Sequence, residues 1–119
     1  MTDLKLYDAE FKFMNIVWEV EPINSRELSV LCGERLGWKR PTTYTVIRKL
    51  SERGFIKNEN ATVTALVKRE QVQKYEAEML LEKAFGGSLP SFIAAFLKDK
   101  SLNDEETDVL LKMIEEAKE

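Results

Sequence analysis

Residues 23–57 read INSRELSVLCGERLGWKRPTTYTVIRKLSERGFIK, two short amphipathic segments separated by a tight break, the second of them conspicuously basic. The first opens on Asn24 and Glu27, the spacing of a capping box, with Ile23 and Leu28 placed to close over it as a hydrophobic staple. Leu28, Leu31, Cys32 and Leu36 then share one face, and Gly37 supplies the stop. Pro41 lacks an amide donor and is tolerated near a helix start, so the pattern predicts a second helix over Thr42 to Arg53, ended by Gly54. Thr43, Val46, Ile47 and Leu50 fall on its inward side; Thr42, Tyr44, Thr45, Arg48 and Lys49 fall outward or along the edges. Between Trp38 and Lys57 stand Lys39, Arg40, Arg48, Lys49, Arg53 and Lys57 against Glu52 alone, a local charge of +5 in a chain whose net charge is −3. A polyanion responds to local charge, and this second helix is the candidate for a DNA groove.

Outward from this window, Phe11, Met14, Val17 and Trp18 recur at helical spacing behind Asp8, a candidate N-cap, and Pro22 prevents the helix from continuing. Downstream, Phe55 and Ile56, then Val63, Leu66 and Val67, flank a polar tip over Asn58 to Thr62, which predicts a short β-hairpin. No Asn-Gly or Asp-Gly pair marks its turn; Asn60-Ala61 stands in. From Glu70 the chain reads as helical, interrupted at Gly86-Gly87, with a second capping box at Asn103 and Glu106. The order is helix, helix, helix, hairpin, then a helical tail: mainly α, a winged helix-turn-helix over residues 1–69 followed by a helical region over 70–119.

Charge divides the chain in the same way, with 12 basic against 9 acidic residues up to Arg69 (+3) and 6 against 12 beyond it (−6). The front would meet an anion that the back repels. In the tail, Tyr75 and Met79, then Leu89, Phe92, Ile93, Phe96 and Leu97, then Leu110 and Ile114, form apolar stripes with little left in a chain of this length to cover them. A second copy of the same element is the expected partner, because short helices gain their stability from packing.

Much chemistry is excluded. The chain has no histidine, which removes the commonest general base and metal ligand, so an enzyme is not expected. Its five glycines fit no nucleotide fingerprint, and Cys32, the single cysteine, can neither form an intrachain disulfide nor build a thiolate zinc site. Asp104, Glu105, Glu106 and Asp108 are the acidic first turn of a helix rather than a cation site. Neither cofactor nor metal is expected. No apolar run approaches the length of a membrane span and the first ten residues lack the pattern of a secretory signal, which predicts a cytoplasmic protein.

Three stretches, YDAEFKFMNIVWEVEPINSREL, the spacing W-x(3)-T-x(2)-T-x(3)-K-L-x(3)-G from Trp38 to Gly54, and GGSLPSFIAAFLKDKSLNDEE, give the chain a resemblance to the penicillinase and methicillin-resistance repressors. The resemblance implies a homodimeric bacterial repressor, its front domain on a double-stranded DNA operator and its C-terminal helices interlocked between subunits. It also implies that Thr42, Thr45 and Lys49 lie on the DNA face. The pattern departs at Pro41, where the family usually has lysine, and at Ala61-Thr62, where the wing usually has Gly-Arg. The bond aligned with the family's proteolytic site is Ala95-Phe96, which makes a regulatory protease a further candidate partner. The chain lacks the C-terminal cysteine pairs of the copper-responsive branch.

On this reading Lys49 or Arg48 approaches guanine O6 and N7 or a phosphate, and Thr42 and Thr45 meet phosphate or a thymine methyl. Arg40, Arg53 and Lys57 are expected at phosphates, and Tyr44 either stacks on a sugar-phosphate edge or packs against the wing. The other class of function open to the same fold is a winged-helix module that binds protein and not DNA.

Overall fold

The computed structural model describes residues 3–119, which fall into two compact units, the first ending at Met79 and the second spanning Leu80–Glu119. The first holds α1 (Asp8–Val20), β1 (Ile23–Asn24), α2 (Ser25–Leu36), α3 (Arg40–Glu52), β2 (Ile56–Glu59) and β3 (Thr62–Ala65). Helix α4 (Arg69–Phe85) starts in the first unit and ends in the second, which continues with α5 (Leu89–Leu97) and α6 (Asp104–Ala117). Arg69, the last residue of the expected front domain, is the first residue of α4, while the compact units part between Met79 and Leu80; Val72 of α4 is fully buried in the core of the first unit.

Local chemistry sets the helix ends. At α1 the cap is Tyr7, whose N–H donates to Glu10 Oε1 at 2.8 Å, and Asp8, expected at the cap, is the first helical residue. An acid in the first turn complements the helix dipole from within the helix, so it does not need the cap position. Asn24 caps α2 as expected, but its Oδ1 accepts from Arg26 N–H at 2.8 Å. Both members of the staple, Ile23 and Leu28, are buried. Gly37 ends α2 at φ 72°, a left-handed conformation that glycine adopts without a Cβ penalty, and its N–H returns to the Gly33 carbonyl at 3.1 Å. Helix α3 starts at Arg40, two residues before the expected Thr42, because Pro41 sits comfortably inside a first turn whose amides have no helical partner.

Three strands form one antiparallel sheet in the order β1-β3-β2. Ile56 pairs with Ala65 and Glu59 with Thr62, leaving Asn60 and Ala61 as a two-residue turn at φ 52° and 59°. Both signs are positive, as the tightest hairpin turns demand, and Ala61 is held there at a cost that glycine would avoid. The expected return strand extended to Val67; the observed one stops at Ala65, and Leu66 beyond it is exposed. The strand absent from the sequence reading is β1, where Ile23 faces Val63 and Asn24 faces Thr62. Ser25 N–H then donates to the Ala61 carbonyl at 2.8 Å, so the start of α2 is tied to the tip of the hairpin.

The core of the first unit joins Phe13, Met14 and Val17 of α1 to Leu28 and Cys32 of α2, Leu50 of α3, and Val63 of β3, all fully buried. Trp38, in the break between α2 and α3, stacks on Phe13 with ring centroids 6.1 Å apart and planes 5° from parallel. Trp18 donates its Nε1–H to the Val67 carbonyl at 2.9 Å. These contacts fix α3 by its inner face and leave its outer face to solvent.

The second unit is built differently, with no described residue from Leu80 onward buried. Phe85 meets Phe92 edge to face at 5.4 Å across the turn at Gly86 and Gly87, and Phe92 meets Phe96 at 5.9 Å. Asn103 caps α6 through Glu106 N–H at 2.8 Å. Leu89, Ile93, Phe96, Leu110 and Ile114 are all exposed. Among the described residues no single helix is long and apolar enough to cross a membrane.

Candidate nucleic-acid interface

Helix α3 separates its side chains as its sequence spacing requires. Thr43, Ile47 and Leu50 are buried, while Arg40, Thr42, Tyr44, Thr45, Arg48 and Lys49 are exposed. Small hydroxylated residues beside long cations suit a duplex groove, because the backbone can approach the base edges between flexible phosphate-reaching arms.

The outer face is not uniform in what each group is free to do. Thr45 donates its hydroxyl back to the Pro41 carbonyl at 3.0 Å, so its proton is engaged and its remaining capacities are an acceptor lone pair and a methyl. Arg48 pairs with Glu52 one turn on, Nη1 to Oε1 at 3.5 Å. Lys57, on the wing strand β2, pairs with Glu59 at 2.6 Å. Lys49 has no ion pair among the described residues and lines a concavity of about 460 Å³ with Asp3, Lys5, Tyr7, Glu10, Glu52 and Arg53. Lys39, exposed at the N-cap of α3, belongs to the same surface; it was visible in the basic window but was not singled out from it.

Arg53 stands apart from the other cations. Its Nη1 lies 3.4 Å from Glu10 Oε1, its Nη2 donates to the Lys5 carbonyl, and its guanidinium carbon sits 4.7 Å from the centroid of the Phe55 ring. All three partners lie within the protein. Tyr75 is similarly engaged, its hydroxyl donating to Asp3 Oδ1 at 3.1 Å, which also accepts Lys5 N–H at 2.9 Å. The Lys5 amide, then the Tyr75 hydroxyl, hold the Asp3 carboxyl below its ordinary pKa. Burial, then the Asp3 hydrogen bond and charge, raise that of Tyr75. Met79, Leu89, Phe92, Ile93, Phe96, Leu97, Leu110 and Ile114, the other residues expected at a subunit contact, are half-buried or exposed.

The penicillinase repressor family model matches residues 6–116, nearly the whole chain. This chain belongs to that family. A penicillinase repressor of Bacillus licheniformis is 23% identical over 118 residues, covering 96% of this chain and 92% of the relative. A penicillinase repressor of Staphylococcus aureus is 27% identical over 106 residues, covering 86% and 84%. The methicillin resistance regulatory protein MecI of Staphylococcus aureus is 24% identical over 119 residues, covering 94% and 97%. With the helix-turn-helix and its three-stranded wing in place, this member of the penicillinase repressor family is a DNA-binding transcriptional repressor of the winged-helix type.

Proposed function

We propose that the chain acts as a homodimer on a palindromic DNA operator, in the cytoplasm, with α3 of each subunit in successive major grooves. The observation that carries this reading is the outer face of α3, where six exposed polar or basic side chains surround a helix anchored by three buried ones. Arg48 and Lys49 are the candidates for guanine or phosphate, Arg40 and Lys57 for phosphate, and Tyr44 for the sugar-phosphate edge. Thr42 retains its hydroxyl proton for a phosphate, whereas Thr45, whose proton is engaged on Pro41, is left a thymine methyl or a base amino group.

Dimerisation is supported by the second unit. Helices α5 and α6 carry no buried residue although α5 is strongly apolar, and apolar surface of this extent is covered when a second copy supplies the other half of the core. The two recognition helices then meet half-sites about 34 Å apart or a multiple of that. The family's proteolytic inactivation maps onto Ala95-Phe96, a bond inside α5, so a protease would need that helix unwound. Full-length protein persisting through induction refutes that part.

Selection of bound DNA from a random pool tests the whole reading. The expected product is an inverted repeat with a spacing of whole helical turns, and sedimentation of the free protein at low micromolar concentration is expected to give a dimer. A pool that yields no enriched sequence at low salt, or a monomer throughout, overturns it.

A further inference from the structure

Arg53 lies in the basic window with Arg48 and Lys49, yet its environment differs from theirs. Glu10, 15% exposed in its side chain, offers one oxygen, Oε1, to two donors: the Tyr7 amide that starts α1 and Nη1 of Arg53 at the end of α3. The other arm of the guanidinium reaches the Lys5 carbonyl, and its face covers the ring of Phe55, a fully buried side chain. Arg53 is also the C-cap residue of α3, its own N–H returning to the Lys49 carbonyl at 3.1 Å. A planar fork engaged on two acceptors and one ring is held in a single geometry, which a flexible ammonium does not reproduce.

We propose that Arg53 and Glu10 form a positioning clamp that sets the orientation of the recognition helix, and that Arg53 does not contact phosphate. The clamp joins the first turn of α1 to the C-cap of α3, and Lys49, one turn back, lines the same concavity. Releasing it lets the C-terminal end of α3 swing relative to α1, which misplaces base-reading side chains while leaving the charge of the face unchanged.

The inference rests on the DNA-binding reading, and the experiment separates the two. Specific and non-specific DNA affinities of the full chain are measured across a salt series for Arg53→Lys, Glu10→Gln and Lys49→Ala. Arg53→Lys retains the charge at the end of α3 but not the fork, and Glu10→Gln retains an oxygen for the Tyr7 amide that starts α1. Arg53→Lys is expected to lose specific affinity by about fivefold with non-specific affinity and salt slope unchanged, since charge is conserved and only geometry is disturbed; Glu10→Gln is expected to lose specific affinity while its non-specific affinity rises, one negative charge having gone. The paired variant is expected to lose little more than either alone.

A phosphate-bound Arg53 predicts the opposite: wild-type specific binding for Arg53→Lys and stronger specific binding for Glu10→Gln, because a competing carboxylate has gone. Either result overturns the clamp. Lys49→Ala is expected to reduce the affinity and flatten the salt slope. If it does neither, the DNA face itself is misassigned and the clamp falls with it.

Discussion

Removing the Glu59 carboxylate should tighten DNA binding. The Lys57 ammonium lies 2.6 Å from Glu59 Oε2 on the outward side of β2, with 55% and 61% of the two side chains exposed. To reach a phosphate, Lys57 must leave that carboxylate. An exposed pair of this kind is worth about 0.2–1 kcal/mol, and a dimer breaks it twice, so Glu59→Gln removes about 0.4–2 kcal/mol of opposition, about a 2- to 30-fold gain in affinity. The corresponding gain for Glu52→Gln is smaller, because Arg48 and Glu52 are 3.5 Å apart and still more exposed. Fluorescence anisotropy on the selected operator at several salt concentrations reads both. The advantage of Glu59→Gln should shrink as salt rises, since the same ions screen pair and phosphate alike. Unchanged or weaker binding by Glu59→Gln at low salt would show that the wing strand does not face the duplex, and would remove Lys57 from the contact surface.

Three other outcomes are expected. Ala61→Gly relieves the positive φ of 59° in the hairpin turn and should stabilise the protein by about 1 kcal/mol in a denaturant titration, with DNA affinity intact; destabilisation would contradict the turn geometry. Phe96→Asp places a charge in the exposed apolar face of α5 and should shift sedimentation from dimer to monomer at micromolar concentration, whereas an unshifted dimer would take α5 out of the contact. Burial raises the Cys32 thiol above its ordinary value of 9.0, against a smaller lowering from the Thr43 hydroxyl, so the folded state keeps a proton that the unfolded state has released. Stability should therefore decline as pH rises past 9.0, and thiol alkylation near pH 8 should proceed only at the rate of opening; rapid labelling of the native protein would refute that burial.

What could be read from the sequence was what local spacing encodes. The two faces of α3 follow from a period of 3.6 residues, and the end of α2 follows from the need for a left-handed residue, which Gly37 meets. Strand β1 could not be read, because two residues carry no alternation; Ile23 registered as a staple and also pairs with Val63, forty residues away. The stop of β3 at Ala65 was equally hidden, since Leu66 and Val67 have strand-like side chains and only the end of pairing reveals the boundary. On the candidate interface, exposure followed from the helical wheel, while occupancy of the cations did not. Arg53 looks like Arg48 in the sequence; its partner, Glu10, lies 43 residues upstream. The Lys57–Glu59 pair was within reach of sequence reasoning, since residues two apart on a strand share a face.

Glu21 has a consequence for how the protein can associate. Strand β1 covers β3 only as far as Val63, and beyond it the amide of Ala65 would be an open donor, but the Glu21 carboxylate accepts it at 2.8 Å. On the opposite rim, β2 is four residues long and carries Lys57 and Glu59. Among the described residues the outer side of β2 is unpaired, so resistance to edge-to-edge growth there rests on the strand's shortness and its two charges, while the β3 margin beyond β1 is capped by a side chain.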